Sequence, residues 1–420
     1  MRPMILTTLP GYGRADFGRD AVAGVTVAMV ALPLSLAIAI ASGAEPATGL
    51  FTAIIGGFMI SLMGGSRVQI GGPTGAFIVV VFSVIATHGY DGLVIATFMA
   101  GLILLAAGWL RVGNLIGYVP EAVINGFTIG IAIIIATSQL GDFLGLDVEN
   151  VPADFLEKLP FLWAARDTLS VPSVITALAT LVLILALRRA FPRFPGLIVA
   201  VGLTSAAVAL TQAPVDTIAS RFGALPDRLP MPSLPDFSID RAVALIPSAM
   251  IIAFLAGVES LLSAMVADRM TGERHRPNAE VLAQGWANIG SALFAGLPAT
   301  GAIARTATNI RAGGRTPVAG IIHALTILVL MMVAAPLAGG LAMPALAALL
   351  MLTAWNMSEP HKWRGHFSGR RSDTALLILT LVLTVVADLA IAIGVGVAIG
   401  LALRLRRREV PHADWHTPDR

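Results

Sequence analysis

An all-α polytopic membrane protein, with fourteen transmembrane segments arranged as two inverted halves of seven, is the fold class this 420-residue sequence predicts. Three observations carry that expectation: a composition only a bilayer can solvate, a series of apolar windows of membrane-crossing length, and arginines that sort the connections between two sides of a membrane. The chain is 56% hydrophobic and 13% charged, whereas a water-soluble domain needs roughly a quarter charged residues to coat its surface. The absence of cysteine removes disulfide frameworks, thiolate nucleophiles and Cys-based metal or iron–sulfur sites. A formal charge of +3, with 26 Arg against 2 Lys placed between apolar runs, argues against a nucleic-acid binder. The apolar stretch after Asp20 outruns a signal peptide's short core and is expected to remain as the first segment.

Reading from charge to charge gives apolar windows at 21–44, 46–66, 68–90, 92–110, 122–141, 168–187, 194–215, 242–258, 281–304, 316–358, 374–387 and 389–403. Most approach the ~20 residues that cross hydrocarbon. The window 316–358 is long enough for two helices, with Pro336 and Gly339–Gly340 as the turn. The windows 374–387 and 389–403 are short, so they are tilted partial spans or a hairpin capped by Asp388. The windows 68–90 and 281–304 each hold a Gly/Pro cluster that interrupts a helix. Residues 68–73 and 296–301 are therefore expected to be extended stretches leading into half-helices of segments 3 and 10.

The arginines test this count. With a cytoplasmic N-terminus, the inner connections carry Arg14/Arg19, Arg67, Arg111, Arg188/Arg189/Arg193, Arg269/Arg274/Arg276, Arg311/Arg315, Arg364/Arg370/Arg371 and Arg404/Arg406/Arg407/Arg408. The outer ones carry Glu45, Asp91, the acid-rich stretch Asp142 to Asp167 and the mixed loop Asp216 to Arg241. That asymmetry places both termini in the cytoplasm of a bacterial-type inner membrane. The expected organisation is a cytoplasmic segment 1–19, a first repeat 20–212, an outer linker 213–241, a second repeat 242–405 and a cytoplasmic tail 406–420. Seven segments per half invert the second half, as in inverted-repeat transporters. Pro73-Thr74-Gly75-Ala76 recurs as Pro298-Ala299-Thr300-Gly301-Ala302, with Thr, Gly and Ala each offset by 226 residues.

A half-helix beginning inside the membrane leaves its first N–H groups without intrahelical partners, and its dipole puts partial positive charge there. Two such ends, after Thr74 and after Thr300, point to one midplane anion site with the threonine hydroxyls as extra donors. Gly71, Gly72, Gly75 and Gly301 allow close backbone approach. Glu259 lies about eighteen residues into the segment that begins at Arg241. A charge near the bilayer centre costs roughly 2.5–3.5 kcal/mol on insertion scales, so Glu259 reads as a proton or Na⁺ coupling site, or else as a structural hydrogen-bonding group. Arg305 either adds positive potential to the anion site or leads out toward Arg311 and Arg315. His88 and His323 read as interfacial residues near segment ends, and Ser35 and Thr128 as interhelical hydrogen-bond partners. No metalloprotease, Walker or nucleophile-elbow motif is present, so no enzyme is expected. No cofactor or metal is expected beyond H⁺, or alternatively Na⁺, as the coupling ion.

The stretches Gly24 to Ala28, Leu32-Pro33, Ala41-Ser42-Gly43, Gly49-Leu50 and Ser66 to Phe77 resemble the sulfate permease (SulP) anion transporters. Glu259 to Ala264, Ala267 to Gly272 and Thr300 to Asn309 extend the resemblance to the second half, so that it covers 20–408. It implies a uracil-transporter-like 7+7 fold in which a core domain (about 20–111 and 242–316) slides against a gate domain (about 117–212 and 317–405), and a homodimer. It also implies a substrate site formed by Thr74, Gly75, Ala76, Phe77, Thr300, Gly301, Ala302, Ile303 and Arg305, with Glu259 at the coupling position. Members usually continue into a cytoplasmic STAS domain, whereas this chain stops about a dozen residues after Arg408 and is expected to be the membrane domain without one. Many relatives also carry Gln, an aromatic and Ser where this chain has Leu34, Ile38 and Ala304, so its site is expected to lean on backbone donors. The function expected is a secondary active transporter of sulfate, bicarbonate or a dicarboxylate such as fumarate, most simply proton-coupled, with Na⁺–bicarbonate symport and an uncoupled anion channel as alternatives.

Overall fold

The computed structural model describes residues 2–114, 120–148, 151–152, 154–191, 195–368, 370–387 and 389–407. Arg193, Asp388, Arg408 and the tail from 409 onward lie outside the described residues.

A short helix α1 (Ile5–Thr8) precedes α2 (Arg14–Ala41), whose first-turn Asp16 accepts from the Gly13 N–H at 3.2 Å. The chain turns at Gly43, whose φ of +73° suits only glycine at low cost. It re-enters through α3 (Pro46–Phe51), with proline at the N-terminal position where a missing N–H costs nothing, then a π turn at Thr52–Gly56 and α4 (Gly57–Met63). Extended residues follow, including β1 (Gly71–Gly72), and a 3₁₀ turn at Gly75–Phe77 opens α5 (Ile78–Trp109). Gly89, with φ +72° and ψ 176°, bends that helix between the two windows expected on either side of Asp91. The first half continues with α6 (Glu121–Ser138), α7 (Leu140–Leu144), α8 (Phe155–Ala164), α9 (Val171–Ala190) and α10 (Gly196–Thr211).

After α11 (Ile218–Phe222) the second half opens with α12 (Ile239–Thr271), which passes straight through Glu259 and ends at Gly272 in the left-handed region. Helix α13 (Pro277–Leu293) begins four residues before the window expected at 281, and β2 (Thr300–Gly301) leads into α14 (Ile303–Arg311). Then come α15 (Val318–Gly339), α16 (Met343–Met357), α17 (Trp363–Ser368), α18 (Arg371–Val386) and α19 (Leu389–Arg407). Pro336 lies inside the last turns of α15, and the reversal expected there falls at Gly340–Ala342 instead. Seven helical stretches among the described residues are long and apolar enough to cross a membrane, including Arg14–Ala41, Pro46–Met63, Gly75–Trp109 and Ile239–Thr271.

Two packing groups emerge. Helix α2 packs on α3 and α15, and α5 packs on α12 and α13, while α6 packs on α18 and α9 packs on α10 and α16. Helix α15 packs on α2 and α4. The tightest approach to another stretch of backbone is at Gly49, where a methyl group would overlap the Ser35 carbonyl oxygen. Because backbone cannot yield as a side-chain tip can, Gly49→Ala is expected to destabilise the protein by about 1–3 kcal/mol. Thermal melting of the detergent-solubilised protein checks this, and an unchanged midpoint would refute the close packing.

The extended legs at membrane depth need hydrogen-bond partners that lipid cannot provide. Side chains from neighbouring elements supply them. The Ile70 N–H donates to Thr306 Oγ1 at 3.1 Å, Asn309 Nδ2 donates to the Val68 carbonyl at 2.8 Å, and the Ala302 N–H donates to the Ile70 carbonyl at 2.8 Å. On the second leg, Asn288 exchanges two bonds with the Ala299 backbone, Ser291 donates to the Leu297 carbonyl at 2.6 Å, and the Leu297 N–H donates to Thr52 Oγ1 at 2.6 Å. At the end carrying the N-terminal segment, buried Asp20 accepts from the Arg315 and Thr316 N–H groups and from Tyr12 Oη at 3.1 Å. Burial and the neighbouring Asp20 carboxylate push the Tyr12 phenol up to about 12, so it remains a donor.

Candidate functional site

Strands β1 and β2 pair antiparallel, Gly71 against Gly301 and Gly72 against Thr300, and this short ladder joins two stretches separated by more than two hundred residues. Immediately beyond each strand a helix begins. The Gly75–Phe77 turn opens α5 on one side and Ile303 opens α14 on the other, so two sets of unpaired N–H groups, each at the positive end of a helix dipole, lie next to the same ladder. The two starts differ in exposure. Gly75, Ala76 and Phe77 are buried, with Gly75 packed against Ile135 and Met357 of the other packing group, whereas Ile303 is 44% exposed. Ala302 is buried behind it.

The two threonines play different parts. Thr74 follows its strand, is partly exposed, and donates from Oγ1 to Glu259 Oε2 at 2.8 Å. Thr300 lies within its strand, is fully buried, and donates to the Ala256 carbonyl at 2.9 Å. Its hydroxyl, expected from the repeat as an extra anion donor, is therefore engaged by the backbone of α12, unlike that of Thr74. The asymmetry follows from register, since the helix after the second copy starts at Ile303 although an offset of 226 from Gly75 falls on Gly301.

Glu259 is partly buried in the middle of α12 and has Thr74 as its hydrogen-bonding partner. Arg305 points inward. Only 1% exposed, it donates from Nη2 to Ser35 Oγ at 3.1 Å, lies against Gly72, and leaves Nε and Nη1 without hydrogen-bond partners among the described residues. Of the two placements open from sequence, the guanidinium thus takes the one behind the ladder and not the one leading to Arg311 and Arg315. Burying a cation with two unbonded nitrogens is costly. His323, expected at an interface, is fully buried within α15, whereas His88 is exposed beside the Gly89 bend. Ser35 donates to the Ala31 carbonyl and Thr128 to the Ile124 carbonyl within their own helices, and Ser35 also accepts from Arg305.

One buried acid escaped the sequence reading. Glu280 is fully buried on α13, where charge-to-charge windows treated it as a boundary. The signal available was a stripe of Glu280, Gln284 and Asn288 at four-residue spacing, one face of a helix, and all three are 0% exposed. No group of three or more His, Cys, Asp or Glu suited to a metal ion occurs among the described residues. A cleft of about 610 Å³ lies elsewhere, lined by Thr7, Tyr12, Arg67, Glu273 and Arg315 among others, and includes none of the helix-start residues.

With this geometry in hand, comparison with known proteins is informative. Residues 17–380 match the sequence model of the sulfate permease family. A putative sulfate transporter, YvdB of Bacillus subtilis, is 43% identical over 372 residues, 88% of this chain and 70% of that one. The bicarbonate transporter BicA of Picosynechococcus is 33% identical over 341 residues, which are 79% of this chain but only 60% of the relative's length. Among solved structures, the transmembrane domain of a cyanobacterial bicarbonate transporter BicA superposes with a TM-score of 0.80 at 30% identity, covering 93% of this chain and 98% of that one. Murine Slc26a9 in its inward-facing state gives a TM-score of 0.86 at 17% identity, covering 97% of this chain and 71% of that one, which speaks to the fold alone. The family is one of transporters and not of enzymes, and this predominantly helical, multi-pass membrane chain belongs to it: the sulfate permease family of anion transporters.

Proposed function

We propose that this chain is a secondary active transporter of small anions, with sulfate, bicarbonate and dicarboxylates such as fumarate as the candidate substrates. The observation that carries the proposal is the β1–β2 ladder, where two helix starts from opposite halves of the chain meet beside an inward-pointing Arg305 and within one hydrogen bond of Glu259. Backbone N–H groups at two dipole ends, with a buried guanidinium behind them, suit an oxyanion and repel a cation. The names borne by YvdB and BicA, a putative sulfate transporter and a bicarbonate transporter, support the same substrate class.

The proposed organisation is fourteen segments in a 7+7 inverted repeat, with both termini cytoplasmic, in the plasma membrane of a bacterial-type cell and as a homodimer. The core comprises the ladder, α2 to α5 and α12 to α15; the gate comprises α6, α9, α10, α16, α18 and α19. Elevator-type alternating access carries the core past the gate, and the contact of Gly75 with Ile135 and Met357 is the surface across which that sliding occurs. Glu259 couples transport to protons: it faces the site through Thr74, and among the described residues it belongs to no group of three or more His, Cys, Asp or Glu that could hold a metal ion.

Uptake of radiolabelled sulfate, bicarbonate and fumarate into proteoliposomes tests this. The expected result is saturable uptake of at least one of them, accelerated by an inward proton gradient and indifferent to Na⁺. Acceleration by Na⁺ with bicarbonate alone selects the Na⁺-coupled alternative, and unitary currents unaffected by any cation gradient would sink the transporter reading in favour of a channel.

A further inference from the structure

We infer that Glu280 is the positioning residue of the anion site: its carboxylate pins the first extended leg and, through Gln69 and Ser260, sets the ladder and the Glu259 turn of α12 in fixed relation. The inference rests on the ladder being the transport site, as proposed above.

The geometry is dense. Glu280 Oε2 accepts from the Gly65 N–H at 2.9 Å and the Ser66 N–H at 3.2 Å, at the point where the chain leaves α4 for the extended leg. Glu280 Oε1 accepts from Ser260 Oγ at 2.9 Å, Gln69 Nε2 at 3.0 Å and Gln284 Nε2 at 2.8 Å. Ser260 Oγ in turn accepts from Gln69 Nε2 and Gln284 Nε2, both at 2.7 Å. Five neutral donors satisfy both oxygens of this fully buried carboxyl group.

The network touches the site at two places. Ser260 is the residue after Glu259, so fixing its hydroxyl fixes the rotation of α12 that aims Glu259 at Thr74. The Gln69 amide lies directly against Gly301, the β2 residue opposite Gly71, so its position sets how closely the second strand approaches the first. The 65–69 leg, α12 and α13 thus share one carboxylate, and β2 packs against the leg's Gln69. Donors face both oxygens, so an amide at this position could satisfy one set and would turn its own N–H groups against the other, which favours an acid as the acceptor.

The chemistry of substitution is specific. In Glu280→Gln an NH₂ group replaces one oxygen, and in either orientation it faces N–H or O–H donors. Ser260→Ala removes the hub but leaves the bonds to Gly65 and Ser66 in place, so it serves as the milder variant should the Gln protein not fold. Two readouts separate positioning from bulk stability. Hydrogen–deuterium exchange should show amides of 65–72 and 300–302 exchanging about tenfold faster in a variant whose melting midpoint stays near wild type, a factor corresponding to ~1.4 kcal/mol of local opening. In proteoliposomes the KM for sulfate, bicarbonate or fumarate, whichever the wild type carries, should rise by a similar factor of about 10 while Vmax changes little. Glu280→Asp, which retains the charge, should recover part of both effects.

Unchanged exchange at 65–72 and 300–302 in a folded variant overturns the assignment, as does faster exchange with an unaltered KM. A wild type that carries none of sulfate, bicarbonate and fumarate counts against the transport reading instead, and the exchange arm then decides the Glu280 assignment by itself.

Discussion

Glu259→Gln loses gradient-driven accumulation while still exchanging labelled anion across the membrane. The amide is nearly isosteric and can still accept from Thr74, whose hydroxyl lies 2.8 Å from the carboxylate, so the site's shape survives. What disappears is the ability to bind and release a proton, and with it the free energy that links the proton to the anion. Coupling energies between two ligands commonly correspond to a factor of about 5–150 in affinity, so accumulation driven by an inward proton gradient should fall on the order of 100-fold, whereas counterflow between equal pools should stay within a few fold. Proteoliposome uptake with and without the gradient, on the same preparation, measures both. Equal loss of both modes would assign Glu259 to binding or folding, and no loss of either would remove it from the mechanism. Thr74→Val, which deletes only the hydrogen bond, should give a smaller defect of the same kind.

Gly301→Val should abolish anion binding without preventing insertion into the membrane. A methyl group at Gly301 already overlaps the Gln69 side-chain amide, which is held by Ser260 and Glu280 and cannot simply swing away. Gly301→Ala therefore forces the strands apart or breaks the Gln69 bonds, and overpacking of this kind costs about 1–3 kcal/mol, or roughly 10- to 100-fold in affinity if it is expressed at the site. The branched side chain adds a second clash along the same line. Isothermal titration or scintillation proximity with the transported anion, on protein shown to be monodisperse, checks the ordering wild type, then Ala, then Val. Unchanged affinity in the Val protein would place the anion away from the ladder. An acidic residue at Ala302 tests the same site by charge, since it sets a fixed anion at the start of α14 and should exclude the mobile one.

Much of the scaffold was legible because its signals are local. Composition announces lipid, Gly/Pro clusters announce the breaks at 68–73 and 296–301, and both appear as extended legs with the strands inside or beside them. Glu259 stood out because a lone acid inside an apolar run is expensive. What stayed hidden depends on partners far away in sequence. Arg305 could be assigned a direction only once Ser35 and Gly72 were known to lie beside it. The bond from the Thr300 hydroxyl to the Ala256 carbonyl was not legible because a repeat of residue types does not fix strand register, and one step along a strand reverses the direction of a side chain. Glu280 was misread as the edge of a window because four of its five donors come from the distant 65–69 leg and α12. Its polar stripe was nonetheless present in the sequence at helical spacing.

The pairing of Gly71–Gly72 with Thr300–Gly301 also sets an order of events during synthesis. When the ribosome has delivered the first half, the leg at 65–72 already stands at membrane depth, yet the partners for its amides and carbonyls, Glu280, Thr306, Asn309 and the Ala302 N–H, have not been made. Bare backbone is not tolerated in hydrocarbon, so the nascent third segment must be sheltered, at the insertion machinery or in a provisional position, until some two hundred further residues emerge and close the ladder. Neither half is a finished membrane unit, and a chain released between α10 and α12 would be left with an open seam where the other half belongs.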